Sequence, residues 1–529
     1  MSATTPSATS SAGPVPKDWI PGLVQNAKPD LVSGFIIFLI ALPLSLAISL
    51  ASGAPAIAGV ITAVIGGILG SLLSGSHLTI NGAAAGLIVI VLGAVNAFGG
   101  GVEGYRIALA VGVICGGLQI VIGLLKAGKL TNMFPLSVVH GMLAGIGVIV
   151  MAKQIHVALG VTVKGSMIET IAAIPASFAG MAPMVALIGG LSLLIMVVWP
   201  MLGKASALIK AIPAPLVVVI MAVALGKTFQ LDAKYLVSVP LNFMDSFAFP
   251  DFSQIANPIF WKYVITYLFV ASLESLLTAA AVDKMDPWKR RSNMNRELLG
   301  KGAANALAAA VGGLPMIAEV VRSSANVMNG ARTRWANFYH GFFLLVAVAA
   351  IPAVLNMIPL AALAGMLVFI GFRLAHPKEF KHALHVGKEE FAFMLATTLV
   401  VVTVDLLWGV IFGFVVAVLI NLLRGGVKGF LKADTQVQAA GDGVTLMLRG
   451  ALGFNNFVGV RGVLDSLPKG KQLVIDYSGV SYMDHTVRER LHDFKGEYEG
   501  AGGRLSVFGE AGLKPSSHHA LCAVSRVMA

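Results

Sequence analysis

A chain of 529 residues with 57% hydrophobic residues, 12% charged residues and a mean hydropathy of +0.83 is not an ordinary soluble protein. The composition predicts a membrane protein embedded in the lipid bilayer. The formal net charge is +12, but the basic residues lie in short loops between apolar runs, which follows the positive-inside rule and argues against a nucleic-acid partner. The two cysteines, Cys115 and Cys522, exclude a disulfide framework and a cysteine-based metal site.

The first 30 residues are rich in Ser, Thr, Ala and Pro and lack the apolar core of a signal peptide. Residues 1–30 are therefore predicted to be a disordered cytoplasmic tail. Beyond them, about fourteen apolar runs are long enough to span a membrane. These predicted spans lie at 31–50, 56–73, 83–97, 106–125, 136–158, 183–201, 212–229, 260–283, 297–312, 316–329, 338–356, 360–374, 391–407 and 409–424. A weaker run near 168–180 is typical of an interfacial or re-entrant segment.

The spacing of these runs indicates an internal duplication. The first, third and fourth runs recur about 230 residues later as the eighth, tenth and eleventh. Each repeat would contain seven spans, an odd number, so the second repeat must enter the membrane with the opposite orientation. The predicted fold is an α-helical membrane protein with two inverted seven-helix repeats, residues 31–229 and 230–425.

Loop charges support this topology. With the N-terminus inside, basic residues concentrate in the cytoplasmic loops, for example at Lys126 and Lys129 and in the group from Lys284 to Lys301. The outside loops are mostly uncharged or, as around Asp245, mix acids and bases. We therefore expect a multi-pass protein of the inner cell membrane with both termini in the cytoplasm.

Two of the predicted spans, at matching places in the two repeats, begin with interrupted backbone. The first break runs from His77 to Gly86 and the second from Gly312 to Ser324. Paired half-helices are the best sequence pointer to a transporter's binding site, because their N-termini direct unpaired N–H groups and a positive dipole end at an anion. We predict that substrate binds to Asn81, Gly82, Ala83 and Ala84 in the first break and to Ala318, Glu319, Val320, Val321 and Arg322 in the second.

Charge in the second break has two interpretations. Arg322 is a fixed cation that can offer several N–H donors to an oxyanion. Glu319, three residues earlier, could offset this charge, accept a proton or repel the substrate until it is neutralised. The alternative is an ion pair between Glu319 and Arg322 that only stabilises the break.

Glu274 is a carboxylate in the middle of a predicted span, where it costs a few kcal/mol and normally faces a cavity or a partner. Thr278 lies on the same helical face and Ser275 is adjacent. A carboxylate with neighbouring hydroxyls can hold a proton or a Na⁺, so this group is predicted to couple transport to H⁺ or to Na⁺. The alternative is a structural hydrogen bond or ion pair between helices.

Isolated histidines and the absence of a phosphate-loop pattern argue against an enzyme, and we expect no cofactor beyond the coupling ion.

Residues 434–529 have the character of a soluble α/β domain. Strands are predicted at Val444–Leu448, Gln472–Asp476 and Arg504–Phe508, and a helix at Thr486–Glu499. Because the domain follows an even number of spans, it is expected in the cytoplasm.

Over nearly its whole length the chain resembles the sulfate permease (SulP) family of anion transporters. The matching stretches run from Asp30 to Gly34 with Ala41 to Pro43, from Phe134 to Gly147, from Leu273 to Thr278 and from Asn305 to Ser323. The resemblance implies a core and a gate domain, anion binding between the third and tenth helices, and a homodimer. It also implies that the positions of Glu274 and Thr278 hold the cation in sodium-coupled relatives, and that the carboxylate carries the proton in proton-coupled ones.

Two departures from the family pattern favour proton coupling. The family often has Gly-Pro in the first half-helix, whereas Gly82 is followed here by Ala83. Val320 lies near the place where sodium-coupled members tend to have a threonine, and Glu319 adds a carboxylate.

The C-terminal domain resembles a STAS domain, through the stretch from Leu473 to Asp484. Anti-sigma-factor antagonists continue with Asp-Ser-Ser-Gly, in which a serine is phosphorylated. This chain has Asp484, His485, Thr486 and Val487 at these positions. Thr486 is therefore a candidate regulatory phosphosite, with a simple N-cap as the alternative. A cytoplasmic protein partner of this domain is expected.

These observations predict a secondary active transporter of a small inorganic anion, sulfate or bicarbonate, coupled to H⁺ or Na⁺ and working by alternating access. The alternatives are an uncoupled exchanger or channel for chloride, bicarbonate or sulfate, a dicarboxylate:H⁺ symporter, and a membrane sensor that signals through the STAS-like domain. Backbone amides and one arginine accept all of these anions alike.

Overall fold

The computed structural model describes residues 14–129, 134–431, 433–440, 443–468 and 470–526. It divides into two compact units. The first unit comprises Met1–Leu87, Val91–Gly128 and Val198–Pro359, and the second comprises Ile88–Ile90, Lys129–Val197 and Leu360–Ala529. Each unit therefore takes segments from both predicted repeats.

The helices of the first unit range in length from four to 33 residues. They are α1 (Trp19–Ala51), α2 (Ala58–Leu73), most of α3 (Ile88–Ala97), α4 (Gly101–Leu124), α9 (Ala207–Ala211), α10 (Ala214–Thr228), α11 (Pro258–Met285), α12 (Met294–Ala310), α13 (Val320–Met328), α14 (Trp335–Ala350) and α15 (Pro352–Leu355). Strand β1 (Asn81–Ala83) precedes α3, and strand β2 (Met316–Ala318) precedes α13.

The second unit combines membrane helices with the C-terminal domain. Its helices are α5 (Leu136–Ala158), α6 (Met167–Ala172), α7 (Ile174–Ala179), most of α8 (Pro183–Leu202), α16 (Leu360–Leu374), α17 (Pro377–Val386), α18 (Lys388–Thr403), α19 (Leu406–Leu431), α20 (Phe457–Ser466) and α21 (His485–Gly500). Its strands are β3 (Asp434–Ala440), β4 (Gly443–Leu452), β5 (Gln472–Met483), β6 (Arg504–Phe508), β7 (Leu513–Pro515) and β8 (Val524–Arg526).

Each of the fourteen predicted spans coincides with a helix in the described part of the chain, namely α1–α5, α8, α10–α14, α16, α18 and α19. Among the described residues, seven helical segments are long and apolar enough to cross a membrane by themselves, and shorter apolar helices include α2, α10 and α14. The weaker run near 168–180 forms the two short helices α6 and α7.

The first helix begins earlier than predicted. Helix α1 starts at Trp19, so residues 19–30 are helical and not part of a disordered tail, while residues 1–13 lie outside the described residues. Asp18 caps this start by accepting from the Trp19 N–H at 3.0 Å, and it also forms an ion pair with Arg334 at 2.7 Å. These tertiary contacts stabilise a segment that lacks the long apolar run of a span, and Asn26 marks a kink within it.

The centre of the first unit is an antiparallel pair of very short strands. In β1 and β2, Asn81 pairs with Ala318, Gly82 with Ile317 and Ala83 with Met316. Each strand leads into a short helix, α3 after a 3₁₀ turn at Ala85–Leu87 and α13 directly. The antiparallel pairing is the arrangement expected where matching segments of two inverted repeats meet.

The C-terminal domain is an α/β fold, as predicted. Its sheet has the order β3-β4-β5-β8-β7, β6 also pairs with β5, and the β4–β5 and β5–β6 pairs are parallel. The core is apolar, with Leu446, Phe457 and Val487 fully buried. Within the second unit, the domain contacts α19 through Phe414 and Phe454, whose ring centroids lie 5.7 Å apart.

Candidate functional site

Side-chain amides stabilise both short strands. The Asn305 Oδ1 atom accepts from the Met316 N–H at 2.6 Å, and its amide nitrogen donates to the Met316 carbonyl at 3.2 Å. Across the pair, the Asn337 Oδ1 atom accepts from the Asn81 N–H at 3.2 Å. Backbone that leaves the helical hydrogen-bond pattern at membrane depth needs such partners, because no bulk water reaches it.

Arg322 extends from the first turn of α13 towards β1. Its side chain is 1% exposed, and its Nη2 group donates to the Ala83 carbonyl at 3.2 Å. A Cβ atom at Gly82 would lie 2.8 Å from Nη1, so the guanidinium lies directly against β1. The Nε and Nη1 groups have no hydrogen-bond partner in the described structure. A buried cation with free donors is suited to bind an anion.

Glu319 is the N-cap of α13. Its Oε2 atom accepts from the Arg322 backbone N–H at 2.7 Å, and its own N–H donates to the Ile80 carbonyl at 2.9 Å. Among the described residues, no ion pair within 4 Å joins the Glu319 and Arg322 side chains. This geometry disfavours the alternative in which the two residues only pair with each other. The N–H groups of Val320 and Val321, in the first turn, have no intrahelical partner.

Several predicted binding residues serve as framework. The Asn81 side chain is 0% exposed; its amide nitrogen donates to the Gly66 carbonyl at 3.3 Å, and its Oδ1 atom accepts from Lys301. The Ala318 N–H donates to the Ser275 Oγ atom at 3.3 Å. The expectation that Asn81 and Ala318 offer free donors therefore differs from the structure, because neighbouring helices already bind these groups.

Gly82, Ala83 and Ala84 lie where the first break was expected. Gly82 provides the space that the Arg322 guanidinium occupies, and the Ala83 carbonyl binds the same group. The Ala84 carbonyl accepts from the Leu87 N–H at 3.1 Å and so begins the 3₁₀ turn before α3. This break thus supplies shape and backbone groups and no charge.

Glu274 lies on α11 and reaches the start of the first half-helix. Its side chain is 8% exposed, and the Oε2 atom is buried without a hydrogen-bond partner. A Cβ atom at Gly86 would stand 2.4 Å from the Glu274 Oε1 atom. Thr278 and Ser275 are buried beside it on α11, and Ser275 also holds β2 through Ala318. Within the described ranges, no cation lies within ion-pair distance of Glu274, so the structural ion pair is not observed.

Sequence reasoning missed one charged residue beside this site. Lys301 was assigned to a basic cytoplasmic loop, but it lies within α12, is 1% exposed and contacts Asn81. The error arose because Lys301 was counted with the charges of the preceding loop, although the predicted span 297–312 includes it. The sequence did contain a signal for a buried lysine, because Lys301 is followed directly by an apolar run.

The candidate phosphosite is buried. Thr486 is 2% exposed, and the N-cap of α21 is Asp484, whose Oδ1 atom accepts from the Val487 N–H at 2.7 Å. Burial raises the pKa of the Asp484 carboxyl, an effect that this hydrogen bond opposes. Thr486 is therefore not the N-cap, and its phosphorylation would require the helix start to open.

In the described part of the chain, no group of three or more His, Cys, Asp or Glu residues is arranged to hold a metal ion.

The sequence profile of the sulfate permease family matches residues 28–397, which include both half-helices, Glu274 and Arg322. The chain belongs to the sulfate permease family. Among curated relatives, a putative sulfate transporter of Bacillus subtilis, YvdB, is 25% identical over 505 residues, covering 92% of each chain. The bicarbonate transporter BicA of Synechocystis is 26% identical over 432 residues, covering 78% of this chain and 75% of BicA.

Solved structures show the same architecture. The transmembrane domain of a cyanobacterial bicarbonate transporter, BicA, superposes with a TM-score of 0.63 at 26% identity, covering 74% of this chain and 97% of that domain. SLC26A9 superposes with a TM-score of 0.68 at 15% identity, covering 92% of this chain and 85% of SLC26A9, and so supports the fold alone. The predicted fold class and family are confirmed: this sulfate permease family member is a multi-pass membrane anion transporter and not an enzyme.

Proposed function

We propose that this protein is a secondary active transporter that moves a small inorganic oxyanion, sulfate or bicarbonate, together with a proton. The observation that carries the proposal is the buried guanidinium of Arg322, which lies against β1 with its Nε and Nη1 donors unpaired. The names of the relatives, which include sulfate and bicarbonate transporters, support the same class of substrate.

The anion is held by Arg322 and by the backbone. Two N–H donors of the guanidinium match the oxygens of a planar or tetrahedral oxyanion, and the N–H groups of Val320 and Val321 add the positive end of α13. Glu319 caps the same helix end with a negative charge, so the anion depends on the guanidinium for its main attraction.

The proton is carried by Glu274. An ionised carboxylate without a partner at this depth costs several kcal/mol, and a bound proton or cation removes that cost. Because Glu274 touches the start of the first half-helix at Gly86, its protonation changes the charge felt at the anion site. A proton on Glu274 and an anion on Arg322 thus favour each other electrostatically.

We place the protein in the inner cell membrane with both termini in the cytoplasm, on the strength of the basic residues in alternate loops. Assembly as a homodimer and binding of a cytoplasmic protein to the STAS-like domain are part of the proposal and follow from the resemblance to the family.

The test is anion uptake into proteoliposomes under imposed pH and Na⁺ gradients, with a panel of sulfate, bicarbonate, chloride and dicarboxylates. We expect a pH gradient to drive accumulation of an oxyanion. Accumulation driven only by a Na⁺ gradient would mean that Na⁺, and not H⁺, is the coupling ion. Flux without accumulation under either gradient would favour the uncoupled exchanger or channel.

Anion titration of purified variants tests the binding site. Loss of a buried charge partner typically costs about 2–5 kcal/mol, so Arg322→Ala should weaken anion binding by roughly tenfold or more. Arg322→Lys should recover only part of the affinity, because a point charge does not reproduce the planar fork. Arg332→Ala, an exposed arginine in the loop after α13, is the matched control. Wild-type affinity in Arg322→Ala would make Arg322 a structural residue.

A further inference from the structure

A second buried cation contacts β1 at Asn81, the residue before the one that Arg322 lies against. The Lys301 side chain on α12 is 1% exposed, and its ammonium group donates to the Asn81 Oδ1 atom. It also forms an ion pair with the Glu297 Oε1 atom at 2.8 Å, one helical turn earlier, where the carboxylate is 0% exposed. The ammonium therefore joins α12 to the strand that Arg322 contacts.

Glu297 is itself held in place. Its Oε2 atom accepts from the Ser74 hydroxyl, from the Gly75 N–H at 2.9 Å and from the Ser76 N–H at 3.3 Å. These donors belong to the turn between α2 and β1. Since the carboxylate is anchored by three groups, the Lys301 ammonium paired with it has little freedom to move.

The ammonium determines how Asn81 is oriented. An ammonium group only donates, so the Asn81 amide must present its oxygen to Lys301, which leaves the nitrogen to donate to the Gly66 carbonyl at 3.3 Å. The Asn81 N–H meanwhile binds Asn337 at 3.2 Å. Asn81 is thus bound by Lys301, Gly66 and Asn337. The next residue in the strand is Gly82, which the Arg322 guanidinium lies against.

Stability alone does not explain this arrangement. Burying two charges costs several kcal/mol per ion, and an apolar pair of similar volume is often as stable or more stable. Buried ion pairs are better explained where they select one geometry of the groups they bind. Here Lys301 binds the side chain of Asn81, which belongs to a strand of the proposed anion site.

We infer that Lys301 is a positioning residue of the anion site, which acts through Asn81 to fix the distance between β1 and the Arg322 guanidinium. The inference rests on the proposed function, since it concerns the same site. A shift of β1 would move the Ala83 carbonyl and the start of the first half-helix relative to the anion, and so would weaken binding without removing the binding groups.

Uptake kinetics of the full-length protein in proteoliposomes test this inference, with the oxyanion that wild type transports best. The variant Glu297→Gln with Lys301→Met removes both charges and leaves no buried carboxylate unpaired. We expect its KM to rise by roughly ten- to hundredfold, the value of one charge-assisted hydrogen bond, with kcat within about twofold of wild type. Asn81→Ala should raise KM similarly, and combining all three substitutions should raise it no further.

A neutral donor gives a second readout. Glu297→Gln with Lys301→Gln keeps a group that can donate to Asn81 and should recover part of the lost affinity. Lys153→Met, a lysine on α5 in the second unit, is the control for removing a lysine from a membrane helix and should leave KM unchanged. If the charge-free pair does not fold, Asn81→Ser in the wild-type background should show the same rise in KM.

Three results would overturn the inference: an unchanged KM in the folded charge-free variant, an unchanged KM in Asn81→Ser, or additive effects of the Asn81 and Lys301 substitutions. The parallel measurement on Arg322→Ala separates this outcome from the proposed function. Loss of affinity in Arg322→Ala with an unchanged KM in the Lys301 variants refutes only the inference, whereas unchanged affinity in Arg322→Ala refutes the proposed function.

Discussion

The backbone of Gly86 lies against the carboxylate of Glu274, so closely that a Cβ atom at Gly86 would stand 2.4 Å from Oε1 and 2.5 Å from Oε2. Real Cβ atoms essentially never make contacts this short, so only glycine fits unless the carboxylate moves. The start of the first half-helix and the candidate proton site are therefore parts of one structure. In the proposed mechanism, this contact connects a proton on Glu274 with the backbone beside the anion.

Gly86→Ala should displace the Glu274 carboxylate. We expect loss of pH-driven accumulation, at least tenfold below wild type, because the carboxylate cannot keep its position beside the half-helix. Accumulation of labelled anion in proteoliposomes under a pH gradient measures the effect. Gly117→Ala on α4, where an added Cβ meets nothing within 4 Å, is the matched control and should transport normally. Normal accumulation in Gly86→Ala would separate Glu274 from coupling.

Glu274→Gln should abolish accumulation against a gradient. The amide has nearly the shape of the protonated carboxyl but cannot ionise, so downhill exchange of anion can persist while the pH gradient no longer drives uptake. Accumulation and counterflow measured on the same vesicles distinguish the two. Glu103→Gln, at the exposed start of α4, serves as the control. If the Glu274 variant concentrates anion at the wild-type level, Glu319 becomes the next candidate.

The predicted topology places Lys289 and Asp245 on opposite sides of the membrane, and both residues are exposed. Single cysteines introduced at these positions should differ in their reaction with an impermeant thiol reagent added from outside, with Asp245→Cys labelled and Lys289→Cys protected. Cys115 and Cys522 are buried and should give little background. Labelling of both introduced cysteines from outside would contradict the inverted-repeat topology.

Removal of the C-terminal domain by truncation after about residue 430 should change expression, assembly or transport rate. Within the second unit the domain packs on α19, where Phe454 contacts Phe414 and Asp484 accepts from the Asn421 amide at 3.3 Å. Because the candidate anion site lies in the first unit, the order of anion preference should stay as in the full-length protein. A changed preference in competition uptake would mean that the anion site is misplaced.

The segment around His519, residues 516–522, should become less stable at acidic pH. Its ring centroid lies 5.4 Å from that of His382, 5.6 Å from that of His385 and 6.1 Å from that of His485. Burial and these three histidines lower the pKa of His519, an effect that Glu489 opposes. A lowered pKa means that the folded segment favours the neutral ring, so its stability is complete above the ordinary histidine value of about 6.5 and falls as the pH drops below it.

Hydrogen exchange of residues 516–522 at pH 7.5 and 5.5, corrected for intrinsic rates, tests this expectation. Protection should fall at the lower pH, and His519→Gln should reduce the difference. His492→Gln, an exposed histidine on α21, should leave it unchanged. Equal protection of the wild type at both values would show that the cluster does not respond to pH.

The span pattern was predictable because a helix in the membrane needs an apolar run, and helices α1–α5, α8, α10–α14, α16, α18 and α19 coincide with the predicted runs. The first boundary was misplaced because α1 continues back to Trp19 on contacts from Asp18 to Arg334, which no local pattern shows. That Lys301 is buried against Asn81, a distant residue of the chain, is likewise visible only in the tertiary structure.

The sequence by itself determined the family, the two interrupted spans and the charged candidates Glu274 and Arg322, because interrupted backbone and charge are locally visible against an apolar background. Only the tertiary structure decided how these groups are used. Helix packing occupies the donors of Asn81 and Ala318, leaves the Nε and Nη1 groups of Arg322 free, and presses Glu274 against Gly86. Each of these outcomes depends on contacts between helices far apart in the chain, which local periodicity does not encode.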